Sequence, residues 1–207
     1  MPKTEAQYQV IREKSKSRIM SAALALFSEQ GFHATSIQMI AKKAGIAAGL
    51  LYNYFENKDQ LFREVLEHYF YSLMEADFSQ YSQDSLFQFC QDYLAYQADI
   101  VQSMAGQNSF SMNYFTVLFD ALKLMFPEFS EKYKAAKQKE LTTWTAVVAN
   151  ARKNGEIRTS MSDEQVAGIF FHTSEAIGLQ LVIEDRIQDY RRETSALWDS
   201  FYAALKA

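Results

Sequence analysis

The chain has 207 residues, 48% hydrophobic and 14% aromatic, and 21 Lys/Arg against 25 Asp/Glu leave a formal charge of -4; that length fits one or two small domains with a core that needs no staples. Two prolines and seven glycines favour helix over a turn-rich β chain and exclude collagen-like, mucin-like and disordered classes. The lone Cys90 builds no intrachain disulfide framework, the start MPKTEAQYQV lacks a secretory h-region, and no run nears 18 uninterrupted apolar residues, which predicts a cytoplasmic protein with no membrane partner.

The charge is unevenly spread. Residues 1–64 carry nine Lys/Arg and six Asp/Glu, whereas residues 65–207 carry twelve and nineteen. Counterion release rewards local positive charge, so any polyanion is expected at the front of the chain. A surplus this small also occurs on solvated surfaces that meet no nucleic acid.

From Tyr8 to Gln30 the residues Ile11, Ile19, Ala22, Ala23, Leu26 and Phe27 recur at helical spacing, and Gly31 supplies a stop. Thr35 or Ser36 can cap a short helix that buries Ile37, Ile40, Ala41 and Ala44 and ends at Gly45. A third helix is predicted from near Ala47 to about Phe55. The polar breaker Glu56-Asn57-Lys58-Asp59 then precedes a fourth helix carrying Leu61, Phe62, Val65, Leu66 and Tyr69. Helical patterning continues to the end, with breaks expected near 81–84, 106–109, Pro127, 154–163 and 185–188. The cleanest stretches are 163–184 and 189–205.

Two short helices joined by Ala44-Gly45-Ile46 between longer ones form a helix-turn-helix pattern, in which Gly45 makes the bend. At about 100° per residue, Leu51 and Phe55 share one side of the second short helix and can anchor it. Gly49 and Asn53 then point nearly opposite, flanked by Leu50 and Tyr52. Glycine permits close backbone approach, the Asn53 amide can pair with adenine N6 and N7, and Leu50 can touch a thymine methyl. Tyr52, Tyr54, Lys58 and the amides after Thr35 can meet phosphates. An ordinary three-helix core, with the tyrosines and Phe55 simply packed, fits the same spacing equally well.

The stretch from Ile19 to Leu61 contains AALALF, GF, TS, IAKKAGI, GLLYNYF and NKDQL in order over about 45 positions. It resembles the DNA-binding domain of TetR/AcrR-type bacterial transcriptional regulators. The resemblance implies an all-α chain in which an N-terminal three-helix helix-turn-helix head, residues 1–64, is joined to a larger C-terminal helical ligand-binding and dimerisation domain, residues 65–207. It further implies a homodimer on a double-stranded DNA operator, repressing transcription until a small-molecule effector binds. Thr35, Ser36, Lys43, Tyr52, Tyr54 and Lys58 match family phosphate-contact or groove-facing positions, while Ile40, Ala41, Ala44, Gly45, Leu51 and Phe55 match its scaffold. Where many members open the reading helix with polar residues, this chain has Ala47, Ala48 and Leu50, so specificity is expected to lean on Asn53, methyl and main-chain contacts and DNA shape. The basic residues Arg12, Lys14, Lys16 and Arg18 can add backbone or minor-groove contacts or form a solvated face.

Residues 65–207 hold 23 of the 30 aromatics. Most must be core, yet such helices can enclose an apolar pocket with a few polar anchors, and the resemblance favours one. Phe110, Tyr114, Phe115, Trp144 and Phe171 are its candidate lining, and His172 and Glu175, three apart on one helix face, its candidate polar grip. The last two helices fit a dimer seam through Phe170, Ile177, Gly178, Leu181, Leu197, Trp198, Phe201 and Leu205. Dimerisation would set two reading helices roughly 34 to 36 Å apart and demand a near-palindromic operator.

Neither a cofactor nor a metal is expected. HExxH, GxSxG, GxxxxGK[ST] and CxxC are absent, and three histidines with one cysteine make a poor catalytic inventory. A helical ligand-binding or protein-interaction module whose head no longer reads DNA stays open, given Ala47, Ala48 and Leu50.

Overall fold

The computed structural model describes residues 5–70, 74, 76–105, 117–122 and 126–206. Among these residues the fold is all-helical, as expected: α1 (Glu5–Ala34), α2 (Ile37–Lys43), α3 (Ala48–Leu51), α4 (Lys58–Phe70), α5 (Leu86–Ala105), α6 (Pro127–Lys153), α7 (Asp163–Ile183) and α8 (Tyr190–Leu205). Single 3-10 turns lie at Phe78–Gln80 and Ile187–Asp189, and one isolated antiparallel bridge joins Ile157 to Lys206. Two compact units form, one from Met1–Met74 with Asn113–Ser130, the other from Glu75–Met112 with Glu131–Ala207. The point between residues 64 and 65 falls inside α4.

In the first unit α1 packs on α2 and α4, and α2 on α3. Ile19, Ala23, Phe27, Ile40, Leu51, Phe55, Leu61, Phe62 and Val65 are all buried. The ring of Phe62 organises this core: Phe27 and Phe32 meet it edge-on at 4.9 Å, and Phe126 stacks on it at 5.5 Å. Arg63 lies 4.1 Å over the Phe126 ring and pairs with Glu128, and Asp120 accepts from the Phe32 amide at 3.4 Å. Gly31 breaks the helical path of α1 with φ +80° and ψ 166°, a geometry that only glycine adopts without strain. The chain therefore turns at Gly31 as predicted, but three more residues wind before α2.

The second unit is built on aromatic packing, with α8 against α5 and α7. Trp144 meets Phe89 edge-on at 4.7 Å, Tyr93 at 5.1 Å and Trp198 at 5.3 Å, and stacks on Phe170 at 5.7 Å. Each such pair adds about 0.5–1.5 kcal/mol beyond the area it buries. Pro127 starts α6, where its missing N–H costs nothing. Ser162 and Gln165 form a reciprocal capping box that fixes the start of α7. Arg152 ties the intervening loop down, donating to Asp163 at 2.7 Å and to the carbonyls of Thr159 and Met161 at 2.8 and 2.7 Å. At the start of α5 the Glu156 carboxylate accepts from the Leu86 and Phe87 amides at 3.0 and 2.9 Å, complementing the positive helix end.

Although no long uninterrupted apolar run exists, α7 is long and apolar enough by length and composition to cross a membrane, with 39% of its most apolar window buried. Core helices commonly share that length and composition.

Candidate nucleic-acid interface

The head presents its short helices as the sequence pattern requires. Ser36, extended at φ -108°, caps α2 by accepting from the Met39 amide at 3.2 Å. Gly45 then turns the chain at φ +67°, and the Ile46 amide closes back on the Ala41 carbonyl at 3.0 Å. α3 is a single turn, shorter than the predicted run to Phe55, because residues 53–55 wind tightly onto the carbonyls of Leu50 and Leu51 instead of continuing.

Leu51 and Phe55 are 0% and 1% exposed, while Leu50 and Tyr52 are 51% and 54% exposed. Ala47, Gly49 and Asn53 are exposed with them, Ala48 is half-buried, and Tyr54 is half-buried under the Arg12 guanidinium, 5.4 Å from its ring centre. A Cβ added at Gly49 would meet nothing within 4 Å. Nothing in the described fold asks for glycine there. Lys43 is exposed and pairs with Glu29 at 2.8 Å, a surface contact weak enough to exchange for a phosphate.

Two expected contacts turn inward. Thr35 is only 2% exposed; its hydroxyl donates to the Gly31 carbonyl at 2.8 Å and accepts from Gln30 Nε2 at 3.1 Å. Its side chain fastens the α1–α2 turn rather than reaching a phosphate. The Lys58 ammonium donates to the carbonyls of Phe32 and Thr35, both at 2.8 Å, and lies 4.2 Å over the Phe32 ring. It neutralises the carbonyl-rich end of α1, a use that its position after the polar breaker did not reveal. Asn57, inside that breaker, and Gln60, just beyond it, also cap the start of α4. Asn57 Oδ1 accepts from the Gln60 amide at 2.8 Å and Gln60 Oε1 from the Glu56 amide at 2.5 Å, and the N-x-x-Q spacing is the signal that could have found this cap.

The described residues among those assigned to a ligand pocket fall in different surroundings. Phe110, Tyr114 and Phe115 lie outside the described residues. Trp144 is fully buried among the core rings, Phe171 is buried, and His172 is exposed. Glu175 instead accepts from Lys137 Nζ at 2.7 Å, and Lys137 also bridges to Glu140 at 3.1 Å. Burial works against the Lys137 charge, but Glu140 and Glu175 outweigh it and hold the ammonium protonated beyond its ordinary range. Burial pushes the Glu140 carboxyl up, with Lys137 and the Tyr93 hydroxyl, 2.6 Å away, pulling the other way. This polar chain, buried at Tyr93 and Glu140 and exposed at Glu175, spans three helices. A further donor of this unit, Trp144 Nε1, is enclosed without a hydrogen-bond partner among the described residues. A groove of about 580 Å³ in the first unit is lined by Glu13, Lys16, Met20, Glu64, Glu67 and His68 and contains none of the expected ligand residues. The Cys90 thiol is buried, and burial raises its pKa well above the ordinary value.

The expected seam also divides. Phe170, Leu181, Trp198 and Leu205 are 0%, 4%, 2% and 3% exposed within a single chain, so these four are core, filling the space between α7 and α8. Ile177, Gly178 and Phe201 are half-buried. A Cβ at Gly178 would sit 3.5 Å from the Tyr190 ring, so its close approach is to its own chain. What faces outward is Leu197 at 45% and Ile183 at 57% exposed, with Ala176 and the half-buried Leu179 on the same side of α7 as Ile183.

Residues 19–65 match the family of bacterial regulatory proteins called the tetR family. The transcriptional regulator HbdR of Aromatoleum sp. (strain CIB) is 43% identical over 61 residues, which cover 28% of this chain and 27% of that protein. The match thus spans about a quarter of the length of such curated relatives. Over nearly the whole chain the fold resembles NalD, the secondary repressor of the MexAB-OprM multidrug efflux pump in Pseudomonas aeruginosa, with TM-score 0.59, 22% identity, and coverage of 94% and 97% of the two chains. It also resembles SmeT in its complex with triclosan, with TM-score 0.62, 18% identity, and coverage of 94% and 92%. At those identities the likeness speaks for the fold alone. The head formed by residues 19–65 thus matches the tetR family of bacterial regulatory proteins.

Proposed function

We propose that the chain is a ligand-responsive transcriptional repressor of the cytoplasm that binds a near-palindromic operator as a homodimer and is released by a small apolar or aromatic effector. The observation that carries this reading is the two-sidedness of residues 49–55: Leu51 and Phe55 are buried, whereas Gly49, Leu50, Tyr52 and Asn53 stand in solvent. A loop that merely packed would bury its large side chains. Here Leu50 and Tyr52 are left to a partner, and the partner suited to Asn53, two tyrosines and nearby lysines is a duplex groove. In this reading residues 1–64 supply the head, and residues 65–207 bind the effector and dimerise.

The exposed apolar residues Ile183 of α7 and Leu197 of α8 support pairing of two copies about a four-helix seam. The enclosed donor Trp144 Nε1 supports an effector that brings a hydrogen-bond acceptor among aromatic rings, as a buried donor without a partner is costly. The neighbours NalD and SmeT, named as repressors of multidrug efflux pumps, lend the idea of repression relieved by an apolar compound. An effector would act by binding better to the dimer state that cannot span two grooves; a coupling of about 1–3 kcal/mol changes DNA affinity some 5- to 150-fold.

The test is selection of duplexes from a random pool by the purified chain, followed by titration of the enriched duplex with a panel of apolar aromatic compounds. Enrichment of a twofold-related sequence and its release by a compound independently shown to bind are expected. No enrichment over bulk DNA would contradict operator reading and favour the interaction-module alternative. Unchanged DNA affinity at saturating, verified ligand would contradict release.

A further inference from the structure

One face of the first turns of α1 grips the exit of the reading helix. Arg12 donates to the Asn53 carbonyl at 3.4 Å, and its guanidinium lies over the Tyr54 ring at 5.4 Å. One turn on, Lys16 lies 5.9 Å over the Phe55 ring and pairs with Glu64 of α4 at 2.6 Å. Residues four apart share a helix face, so this face holds the consecutive residues Asn53, Tyr54 and Phe55.

α3 needs such support. It is a single turn whose N-cap position, Ala47, makes no side-chain hydrogen bond, and a helix of four residues has no stability of its own. Leu51 and Phe55 fix its depth in the core. Two buried points on one side leave rotation of the exit, and hence the aim of the Asn53 amide, to be set by something else. The carbonyl of Asn53 sits where helix carbonyls accumulate negative charge, which a guanidinium complements.

We infer that Arg12 is a positioning residue of DNA reading: it sets the direction in which Asn53 and Tyr54 are presented, acting through the reading helix and not through a phosphate. This deepens the operator-binding reading and rests on it. Of the basic residues Arg12, Lys14, Lys16 and Arg18, Arg12 and Lys16 are committed to the head, while Lys14 and Arg18 are exposed on other faces. A phosphate role falls to those two.

The two roles separate by salt dependence. Removing one cation that neutralises a phosphate reduces the slope of log affinity against log salt by about 0.9, whereas a positioning defect lowers affinity at unchanged slope. With the duplex enriched by the wild-type chain as probe, Arg12→Ala is expected to bind about fivefold more weakly at every salt concentration, the net effect of one exposed hydrogen bond. Arg12→Lys is expected to recover part of that loss, since lysine can donate to a carbonyl but lacks the planar stack. Lys14→Ala is expected to change the slope. A slope change in Arg12→Ala, or undiminished affinity, overturns the inference.

A second readout needs no DNA. In the free protein, the amides of Asn53, Tyr54 and Phe55, which bond to Leu50 and Leu51, should exchange with deuterium several-fold faster in Arg12→Ala, with the amides of α2 unaffected. Equal exchange overturns positioning even if no duplex is ever enriched, whereas failed enrichment alone counts against the operator reading.

Discussion

The two units carry similar helices but distribute their large side chains differently. In the head, Leu51 and Phe55 are anchors at 0–1% exposure, while Leu50 and Tyr52 stand above 50%. In the second unit, the residues most suited to recognition, Trp144, Phe170 and Trp198, are anchors themselves. A recognition surface of the first kind is fixed by local periodicity, because one turn of helix must show opposite faces to core and solvent. A pocket or seam of the second kind depends on how several long helices meet, and aromatic spacing along any one of them serves core and surface alike.

The largest effects should break the second unit. Trp144→Ala is expected to cost about 3–5 kcal/mol by opening a cavity among four rings, seen as a lowered midpoint of chemical unfolding. Leu197→Asp, at an exposed position of α8, should leave that midpoint within about 0.5 kcal/mol when measured on the monomer, while shifting sedimentation toward a single chain. A Leu197→Asp protein that sediments unchanged would contradict the proposed α7–α8 dimer seam.

Alkaline pH probes the same core. Burial raises the Tyr190 hydroxyl to about 12. Its folded pKa thus lies above the unfolded value, so the group's contribution is complete below pH 10 and is lost as pH rises through 10 to 12. That loss is about 3 kcal/mol over the window. Tyr190→Phe should flatten this part of the decline in thermal midpoint, and an unaltered pH profile would show that Tyr190 does not titrate this way.

In the head the sharpest contrast is a substitution with opposite signs. Gly49→Ala should stabilise α3 by about 0.5–1 kcal/mol, as alanine replaces glycine in helix with open space for the Cβ. The same change should weaken operator binding by holding the duplex away from the backbone. Binding that strengthens along with stability would mean that no groove meets Gly49.

The head was legible where the determinants were local. Gly31, Ser36 and Gly45 marked the turns, and the positions of Leu51 and Phe55 fixed which face is buried. It was illegible where partners lie far apart in sequence. Thr35 and Lys58 looked outward on spacing alone, but Lys58 is claimed by carbonyls 26 and 23 residues before it. Arg12 reaches a carbonyl 41 residues away. The return of residues 117–130 to the head, through Asp120 and Phe126, has no periodic signature. In the second unit, α8 carries Trp198 on one side and Leu197 on the next, about 100° apart, and only the packed neighbours decide which of them is core.

The most direct test is competitive binding of wild-type, Tyr52→Ala and Asn53→Ala proteins to the selected duplex against bulk DNA at fixed salt. A groove-reading head predicts that Asn53→Ala loses about 1–3 kcal/mol of discrimination at defined base positions, that Tyr52→Ala weakens binding across sequences, and that neither alters thermal stability. Equal binding by all three proteins would contradict it.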